Sequence, residues 1–196
     1  MTKQIKQKEK TFLNHLKLAH FYWKNHLKKK SLAIDCTMGN GFDLLILAKC
    51  LLPLKGTIYG LDIQKKALLN SSKLISKNFT NKERENIHLL LRSHETFDFL
   101  KEKCSLFVYN LGFLPWSDKK IKTNAKTTLK SLNSAIDHLS IDGAISIMCY
   151  PGHKEGKEET HLLEKRFKTL SSFDISFHRC YKKKDSPCLF WLKKKA

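Results

Sequence analysis

The sequence predicts an α/β fold built on a doubly wound, mostly parallel sheet, and three features of the chain indicate it. Apolar runs of strand length alternate with stretches of helical periodicity along most of the 196 residues. A glycine-rich turn at residues 35–41 follows the first apolar run, and the next run ends in a carboxylate, Asp62. A short turn without a helix separates the last two runs, so we expect an antiparallel hairpin at one edge of a seven-stranded sheet.

The elements follow in chain order. An amphipathic helix is expected over residues 8–28, because apolar side chains recur there at helical spacing among lysines and histidines. We therefore expect residues 1–30 to form a basic N-terminal helix that packs on the domain of residues 31–196. This helix is expected to cover an edge of the sheet, to carry a basic face or to cap the ligand site. The predicted strands are 32–36, 57–63, 87–91, 106–111, 144–150, 173–181 and 188–192, and the other predicted helices are 42–51, 65–77, 97–103, 127–139 and 158–170.

The charge of the chain predicts a polyanionic partner. Thirty-seven lysines and arginines against 18 aspartates and glutamates leave a formal net charge of +19. Such an excess attracts nucleic acid, and lysine favours diffuse contacts with phosphates over the reading of base edges. Runs of lysine at residues 28–30, 119–126, 182–184 and 193–195 are the candidate contacts.

Cysteine spacing and hydropathy exclude several other classes of protein. The six cysteines are scattered without the paired spacing of a zinc site or a disulfide framework, which predicts reduced thiols in a cytoplasmic protein without a metal. No apolar run is long enough to cross a bilayer, so no membrane partner is expected. A single sequence leaves both a monomer and a homodimer open.

Polar or glycine-rich residues follow five consecutive predicted strands, where an open parallel sheet binds its ligands. Leu44 stands where a dinucleotide-binding motif has its third glycine, and Asp35 and Asp43 flank the turn. Two carboxylates would repel a pyrophosphate at the helix N-terminus, which disfavours a nicotinamide oxidoreductase. S-adenosylmethionine, a cationic adenosine without phosphate, suits the turn. The predicted cofactor-binding residues are Asp35, Gly39, Asn40, Phe42, Asp62, Gln64, Ser93 and His94.

Motifs spread over residues 31–195 resemble one known family in the same order along the chain. They are the glycine turn at 35–41, Asp62-Ile-Gln64, Ser93-His94, Asn110-Leu-Gly-Phe-Leu-Pro115, the segment with Asp118-Lys119 and Thr123 to Thr128, and Tyr150-Pro-Gly-His153 with Gly156 and Glu159. Together they resemble the putative rRNA methylase family, which is associated with methylation of a tRNA wobble uridine. The resemblance implies a Rossmann-like class I methyltransferase fold, S-adenosylmethionine as the cofactor and tRNA as the partner. Phe42 stands where this family commonly has histidine or another polar residue.

The resemblance also implies a reaction. It is the transfer of a methyl group to the 5-aminomethyl nitrogen of 5-aminomethyl-(2-thio)uridine at position 34, in the anticodon loop of tRNA. Two alternatives stay open, namely an rRNA methyltransferase of the same fold and an RNA-binding module without catalytic activity. Which tRNAs are substrates, and whether the uridine carries sulfur, cannot be read from the chain.

Methyl transfer to nitrogen needs a neutral amine held in line with the methyl group. Asn110 lies at the end of the fourth predicted strand, and we predict that its amide orients the amine. His153 is the predicted proton acceptor, because an ordinary histidine pKa of about 6.5 suits that role, although it equally suits a residue that only stabilises the preceding turn. Aromatic rings are expected to stack on the unpaired base or to pack their loop against the core. The predicted substrate-binding residues are Phe113, Trp116, Tyr150 and Gly152.

Overall fold

A seven-stranded sheet organises the molecule, and the computed structural model describes residues 15–112, 123–179 and 185–195. The strands lie in the order β3-β2-β1-β4-β5-β7-β6. They are β1 (Leu32–Asp35), β2 (Thr57–Asp62), β3 (Ile87–Leu91), β4 (Cys104–Asn110), β5 (Leu139–Cys149), β6 (Phe173–Arg179) and β7 (Cys188–Lys194). The helices are α1 (His15–His26), α2 (Phe42–Leu51), α3 (Lys65–Asn78), α4 (Asn81–Arg84), α5 (Ala125–His138) and α6 (Lys154–Phe167).

The pairing of the strands confirms the predicted fold class. β1 to β5 pair in parallel, whereas β7 is antiparallel to both β5 and β6, as expected for a terminal hairpin. The chain moves outward from β1 to β3 and then returns to place β4 on the other side of β1. The strand order therefore reverses between β1 and β4, and a ligand crevice is expected at the carboxyl ends of these two strands.

Both faces of the sheet are covered by helices, which makes the central strands apolar on both sides. On one face, Leu132 of α5 and Leu163 of α6 are fully buried against the sheet. On the other face, Leu44 and Leu47 of α2 are fully buried in a second cluster, which also contains Leu18 of α1. Each such leucine contributes about 1.5 to 3 kcal/mol through removal of its side chain from water.

α1 is anchored across this second face by ring contacts as well as by apolar packing. Trp23 is 2% exposed, and Tyr22 stacks on Trp191 of β7 with ring centroids 4.9 Å apart. The Tyr22 hydroxyl lies 2.8 Å from Nε2 of His178 on β6, and Nε2 of His26 lies 2.9 Å from the carbonyl oxygen of Ser105. The predicted helix at 8–28 is thus confirmed over His15–His26, while residues 8–14 lie outside the described part.

One predicted helix is wrong. Residues 97–103 form turns and bends rather than a helix, and only the hydrogen bond from the Leu100 N–H to the Phe97 carbonyl closes a turn there. Phe97 is fully buried against Phe107, and its N–H donates to Oγ of Ser134 on α5. A segment this short does not sustain a helix by itself. The backbone instead follows the conformation that buries the Phe97 side chain. α4 and a short 3₁₀ turn at Leu52–Leu54 were not predicted.

Candidate active site

A cavity of about 810 Å³ opens at the carboxyl ends of the parallel strands. This volume lies within the range of small-molecule sites in proteins. Residues that follow β1, β2, β3, β4 and β5 all contribute to its wall, as the reversal of strand order requires. The predicted site residues that line it are Gly39, Asn40, Phe42, Asp62, Gln64, Ser93, His94, Asn110, Tyr150, Gly152 and His153.

The glycine turn between β1 and α2 brings the backbone close to α3. Gly41 has a φ of 83°, and a Cβ atom at this position would lie 2.7 Å from Oγ and 3.0 Å from Cα of Ser71. Oγ of Ser71 donates to the carbonyl of Gly39, and Nδ2 of Asn70 donates to Oδ1 of Asn40. Only glycine fits position 41, and α3 holds the turn in a fixed shape at the cavity wall.

Asp62 is held by its neighbours in an orientation that leaves room for a diol. Its Oδ2 accepts the Gly39 N–H at 3.0 Å, and its Oδ1 accepts the Gln64 N–H at 2.8 Å. Burial raises the pKa of this carboxyl, while these backbone hydrogen bonds oppose the rise. Each oxygen retains a further lone pair, so the ionised carboxylate can accept one hydroxyl group on each oxygen.

His94 follows β3 and lines the cavity. Burial lowers its pKa to about 4, with only a small opposing effect from Glu95. Its carbonyl accepts a hydrogen bond from Oγ of Ser131 at 2.5 Å, and Ser131 in turn contacts the Tyr109 hydroxyl at 2.8 Å. Nδ1 of His94 is buried and has no hydrogen-bond partner among the described residues. The loop thus presents a fixed, uncharged ring at the cavity wall.

Asp43, in the first turn of α2, is a site residue that the sequence reasoning treated only as a repulsive charge. Its Oδ1 lies 2.9 Å from Nε2 of His20, and its Oδ2 accepts from Nδ2 of Asn110 at 2.9 Å. The Asn110 side chain also hydrogen-bonds Tyr150, whose pKa is raised to about 12, first by burial and then by Asp43. The Asn110 N–H donates to Oγ1 of Thr37 at 2.7 Å, which fixes the end of β4 to the glycine turn.

Asp35 is placed differently from the prediction. Its side chain is 1% exposed and is not among the residues that line the cavity. Its Oδ1 accepts the Thr37 N–H at 3.1 Å, and burial, with Asp43 and Asp62 nearby, holds its pKa well above the usual range. The prediction that Asp35 contacts the cofactor therefore has no support from the geometry, because the side chain is buried beneath the turn that it stabilises.

His153 caps a helix at the edge of the cavity. It is the N-cap residue of α6, and its Nδ1 accepts the Gly156 N–H at 3.1 Å. A neutral imidazole that accepts at Nδ1 carries its proton on Nε2. The cap uses the lone pair of Nδ1, and the same atom lies 3.3 Å from Oε2 of Glu155, so the geometry supports the turn-stabilising role as one of the two roles predicted for His153.

A buried carboxylate holds the two ends of the segment between β4 and α5. The Gly112 N–H donates to Oγ1 of Thr123 at 2.9 Å, and the Thr123 N–H donates back to the Gly112 carbonyl. Glu159 of α6, 5% exposed, accepts from the Thr123 hydroxyl at 3.1 Å and from the Thr128 hydroxyl at 2.6 Å. Phe113 and Trp116, both predicted to bind substrate, lie between these ends and outside the described residues.

The described residues fit S-adenosylmethionine. Asp62 offers two carboxylate oxygens for the ribose hydroxyls, and the exposed Ile63 beside it offers an apolar surface for the adenine. Nδ1 of His94 is a buried polar atom that still needs a partner. Asp43 places negative charge near the position expected for the sulfonium and amine. In this part of the chain, no cluster of three or more His, Cys, Asp or Glu residues is arranged for a metal ion, and no helix is long and apolar enough to span a bilayer.

Comparisons with known proteins agree with this geometry. Residues 58–193 match the model of the family described as "Putative rRNA methylase". A chloroplastic tRNA (mnm(5)s(2)U34)-methyltransferase of Arabidopsis thaliana is 33% identical over 154 residues, which are 75% of this chain. The match spans only 56% of the Arabidopsis protein, so the chain corresponds to about half of that relative.

Solved structures show the same fold. The crystal structure of a putative rRNA-methylase from Clostridium thermocellum is 28% identical, with a TM-score of 0.85 over 92% of this chain and 97% of that one. A putative methyltransferase from Streptococcus mutans, solved in complex with SAH, is also 28% identical, with a TM-score of 0.80 over 92% of this chain and 98% of that one. The predicted family and cofactor are confirmed: the chain belongs to the putative rRNA methylase family and is an S-adenosylmethionine-dependent methyltransferase of the class I fold.

Proposed function

We propose that the chain methylates the 5-aminomethyl nitrogen of uridine 34 in tRNA. The observation that carries the proposal is the orientation of Asn110 at the end of β4. Its amide nitrogen donates to Asp43 at 2.9 Å, and its carbonyl oxygen has two lone pairs, so that oxygen can accept from a ligand even beside the Tyr150 hydroxyl. An acceptor oxygen beside a methyl-donor site recognises a substrate that carries N–H groups. The name of the Arabidopsis relative supports the same substrate.

The reaction transfers charge to the substrate nitrogen. When bound, S-adenosylmethionine supplies an electrophilic methyl group. The amine nitrogen must bind as the neutral base, with its lone pair directed along the line of transfer. As the nitrogen becomes a secondary ammonium, the Asn110 carbonyl and the Asp43 carboxylate behind it stabilise the developing positive charge. The carboxylate therefore favours the transition state more than the neutral amine.

No protein base has to take a proton during transfer if the amine enters the site neutral. The product nitrogen leaves as an ammonium, and its proton is exchanged with water afterwards. His153 accepts at Nδ1 from the backbone of α6, so we assign it to the shape of the loop that follows β5 rather than to proton transfer. His153→Asn, which keeps a good helix cap, is expected to preserve the pH dependence of kcat.

The rim of the cavity suits an unstacked base. Phe42 is 68% exposed and lines the cavity at the start of α2, next to Asp43. An exposed aromatic ring at this position offers a stacking surface for a base turned out of an RNA loop. Since aromatic stacking tolerates every base, Phe42 supplies affinity, while Asn110 supplies the selection for an amine.

The test is incubation of the full chain with S-adenosylmethionine and tRNA that carries 5-aminomethyluridine at position 34, followed by nucleoside mass spectrometry. We expect the modified nucleoside to gain one methyl group, and tRNA with unmodified uridine 34 to remain unchanged because it lacks the amine. Asn110→Ala should lower kcat by well over a factor of about three while cofactor binding is retained. Methylation of rRNA in place of this nucleoside would contradict the proposal.

RNA binding gives a second, independent measurement. With a formal net charge of +19, the affinity for tRNA should fall steeply with salt, by roughly 0.7 to 0.9 log units per phosphate contact for each log unit of salt. A flat salt dependence would show that phosphate contacts do not hold the substrate. Phe42→Ala should weaken tRNA binding without changing that slope, because stacking releases no counterions.

A further inference from the structure

We propose that His20 of α1 is a positioning residue of the active site, which acts on the substrate amine through Asp43 and Asn110. Its functional consequence rests on the N-methyl transfer proposed above. Nε2 of His20 lies 2.9 Å from Oδ1 of Asp43, and Oδ2 of the same carboxylate is 2.9 Å from Nδ2 of Asn110. One carboxylate thus joins the N-terminal helix to the end of β4.

The two hydrogen bonds determine the direction of every group in this chain of contacts. An ionised carboxylate only accepts, so both of its partners must donate. His20 therefore carries a proton on Nε2, and the amide nitrogen of Asn110 is the end that faces Asp43. The carbonyl oxygen of Asn110, beside the Tyr150 hydroxyl, is consequently the end that can accept from a substrate N–H.

Burial makes the loss of either donor costly. The Asp43 side chain is only 13% exposed, and that of His20 is 27% exposed. The His20 ring packs on Trp23, with centroids 4.7 Å apart, and Trp23 is itself buried. Without His20, one oxygen of a largely buried carboxylate lacks a protein donor, so Asp43 turns toward water or other donors. Asn110 then loses the contact that distinguishes the two ends of its amide.

A flipped Asn110 would present a donor where the amine needs an acceptor. Removal of His20 leaves Asp43 charged and leaves Asp62 and the glycine turn in place, so we expect a large effect on the rate of methyl transfer and only a small one on cofactor binding. This assigns the N-terminal helix a part in the site, although α1 precedes the residues 58–193 that match the family model.

The kinetic test compares three variants of the full chain. His20→Phe keeps the ring but removes the donor, and should lower kcat about tenfold with the Kd for S-adenosylmethionine within a factor of about two. His20→Gln can still donate from its amide and should recover most of that loss. The matched control is Tyr22→Phe, which removes the 2.8 Å contact of α1 with His178 and leaves the cavity untouched. Equal losses in His20→Phe and Tyr22→Phe would overturn the proposal, because α1 would then act only through its docking.

A double-mutant cycle tests whether His20 acts through Asp43. If it does, His20→Phe should lower kcat no further in an Asp43→Asn background, whereas independent roles would give multiplied losses. Multiplied losses would refute the proposal.

Nitrogen NMR gives a reading that does not require turnover, and its first part needs no His20 variant. In the wild-type protein, the proton of the His20 ring should lie on Nε2, and the fraction of molecules with this tautomer should fall in Asp43→Asn. The side-chain amide resonances of Asn110 should shift in His20→Gln but not in Tyr22→Phe. An Nε2 without a proton would overturn the proposal, even for a protein that methylates the predicted tRNA. Conversely, a wild-type protein inactive on that tRNA but with this NMR pattern would refute only the proposed function.

Discussion

Replacement of Asp62 by alanine is the perturbation whose effect follows most directly from the structure. Each oxygen of this carboxylate already accepts one backbone N–H, from Gly39 at 3.0 Å and from Gln64 at 2.8 Å. One lone pair per oxygen therefore remains for a ribose hydroxyl. Asp62→Ala removes both acceptors for the cofactor and also frees the two backbone donors that shape the wall.

The magnitude is set by the number of hydrogen bonds lost. A hydrogen bond to a charged group contributes about 1.5 to 3 kcal/mol, so two of them contribute about 3 to 6 kcal/mol. Water can enter this cavity and hydrate both the ribose and the freed backbone N–H groups, which favours the lower end of that range. Since 1.4 kcal/mol corresponds to about a factor of ten, the Kd for S-adenosylmethionine should rise roughly a hundredfold or more.

Isothermal titration calorimetry of the full chain with S-adenosylmethionine measures this change. The matched control is Asp137→Ala, which removes an exposed carboxylate of α5 that does not line the cavity. The control should bind the cofactor as the wild-type protein does, which separates a local contact from a change in overall charge. A rise in Kd of less than about tenfold for Asp62→Ala, with the fold intact by circular dichroism, would show that this carboxylate does not hold the ribose.

Three further predictions concern the elements around the cofactor. Gly41→Ala should lower the free energy of unfolding by about 2 to 4 kcal/mol and weaken cofactor binding, because the φ of 83° and the nearby Ser71 backbone leave no room for a Cβ atom. Urea denaturation measures the first effect and calorimetry with S-adenosylmethionine measures the second. Glu159→Gln should lower the free energy of unfolding by about 1 to 2 kcal/mol, since an amide has one accepting oxygen for the two threonine hydroxyls. The same substitution should raise the KM for tRNA, while the Kd for S-adenosylmethionine stays constant. For His94, the pKa of about 4 in the folded protein lies below the value of 6.5 in the unfolded chain, so the unfolded chain binds the proton first as the pH falls. Acidification from pH 7 to 4.5 should therefore lower the free energy of unfolding by roughly 2 to 3 kcal/mol. His94→Asn should lack that component, and parallel pH–stability curves for the two proteins would contradict the assignment.

The parts of the site that could be predicted from sequence are those fixed by the alternation of strands, turns and helices. Asp62 ends a strand about twenty residues after the glycine turn, and any parallel pair of strands brings such a residue beside the turn. The same rule placed His94 and Asn110 at the cavity, because each follows a strand of the same sheet. Periodicity and turn residues sufficed for these positions without knowledge of the packing.

The parts that were missed depend on burial and on contacts between distant residues. Asp35 and Asp43 look alike in the sequence, yet Asp35 ends β1 and is buried beneath the turn, whereas Asp43 lies in the first turn of α2 and lines the cavity. His20 and Asn110 meet Asp43 across 23 and 67 residues, and no spacing rule connects them. Such contacts are determined by how α1 docks on the sheet, which the helical pattern alone does not specify.

The charges of the molecule form two separate fields. The seven strands span roughly 29 Å at about 4.8 Å per strand, several times the distance of about 8 to 10 Å over which salt screens a charge. Lysines farther than this from the cavity therefore do not cancel the carboxylates of Asp43 and Asp62 at its wall, although the formal net charge of the chain is +19. Those carboxylates favour a cation over a phosphate, which agrees with S-adenosylmethionine as the cofactor. A strongly basic protein can thus hold a positively charged ligand, because the sign that matters is that of the nearest few groups and not that of the whole chain.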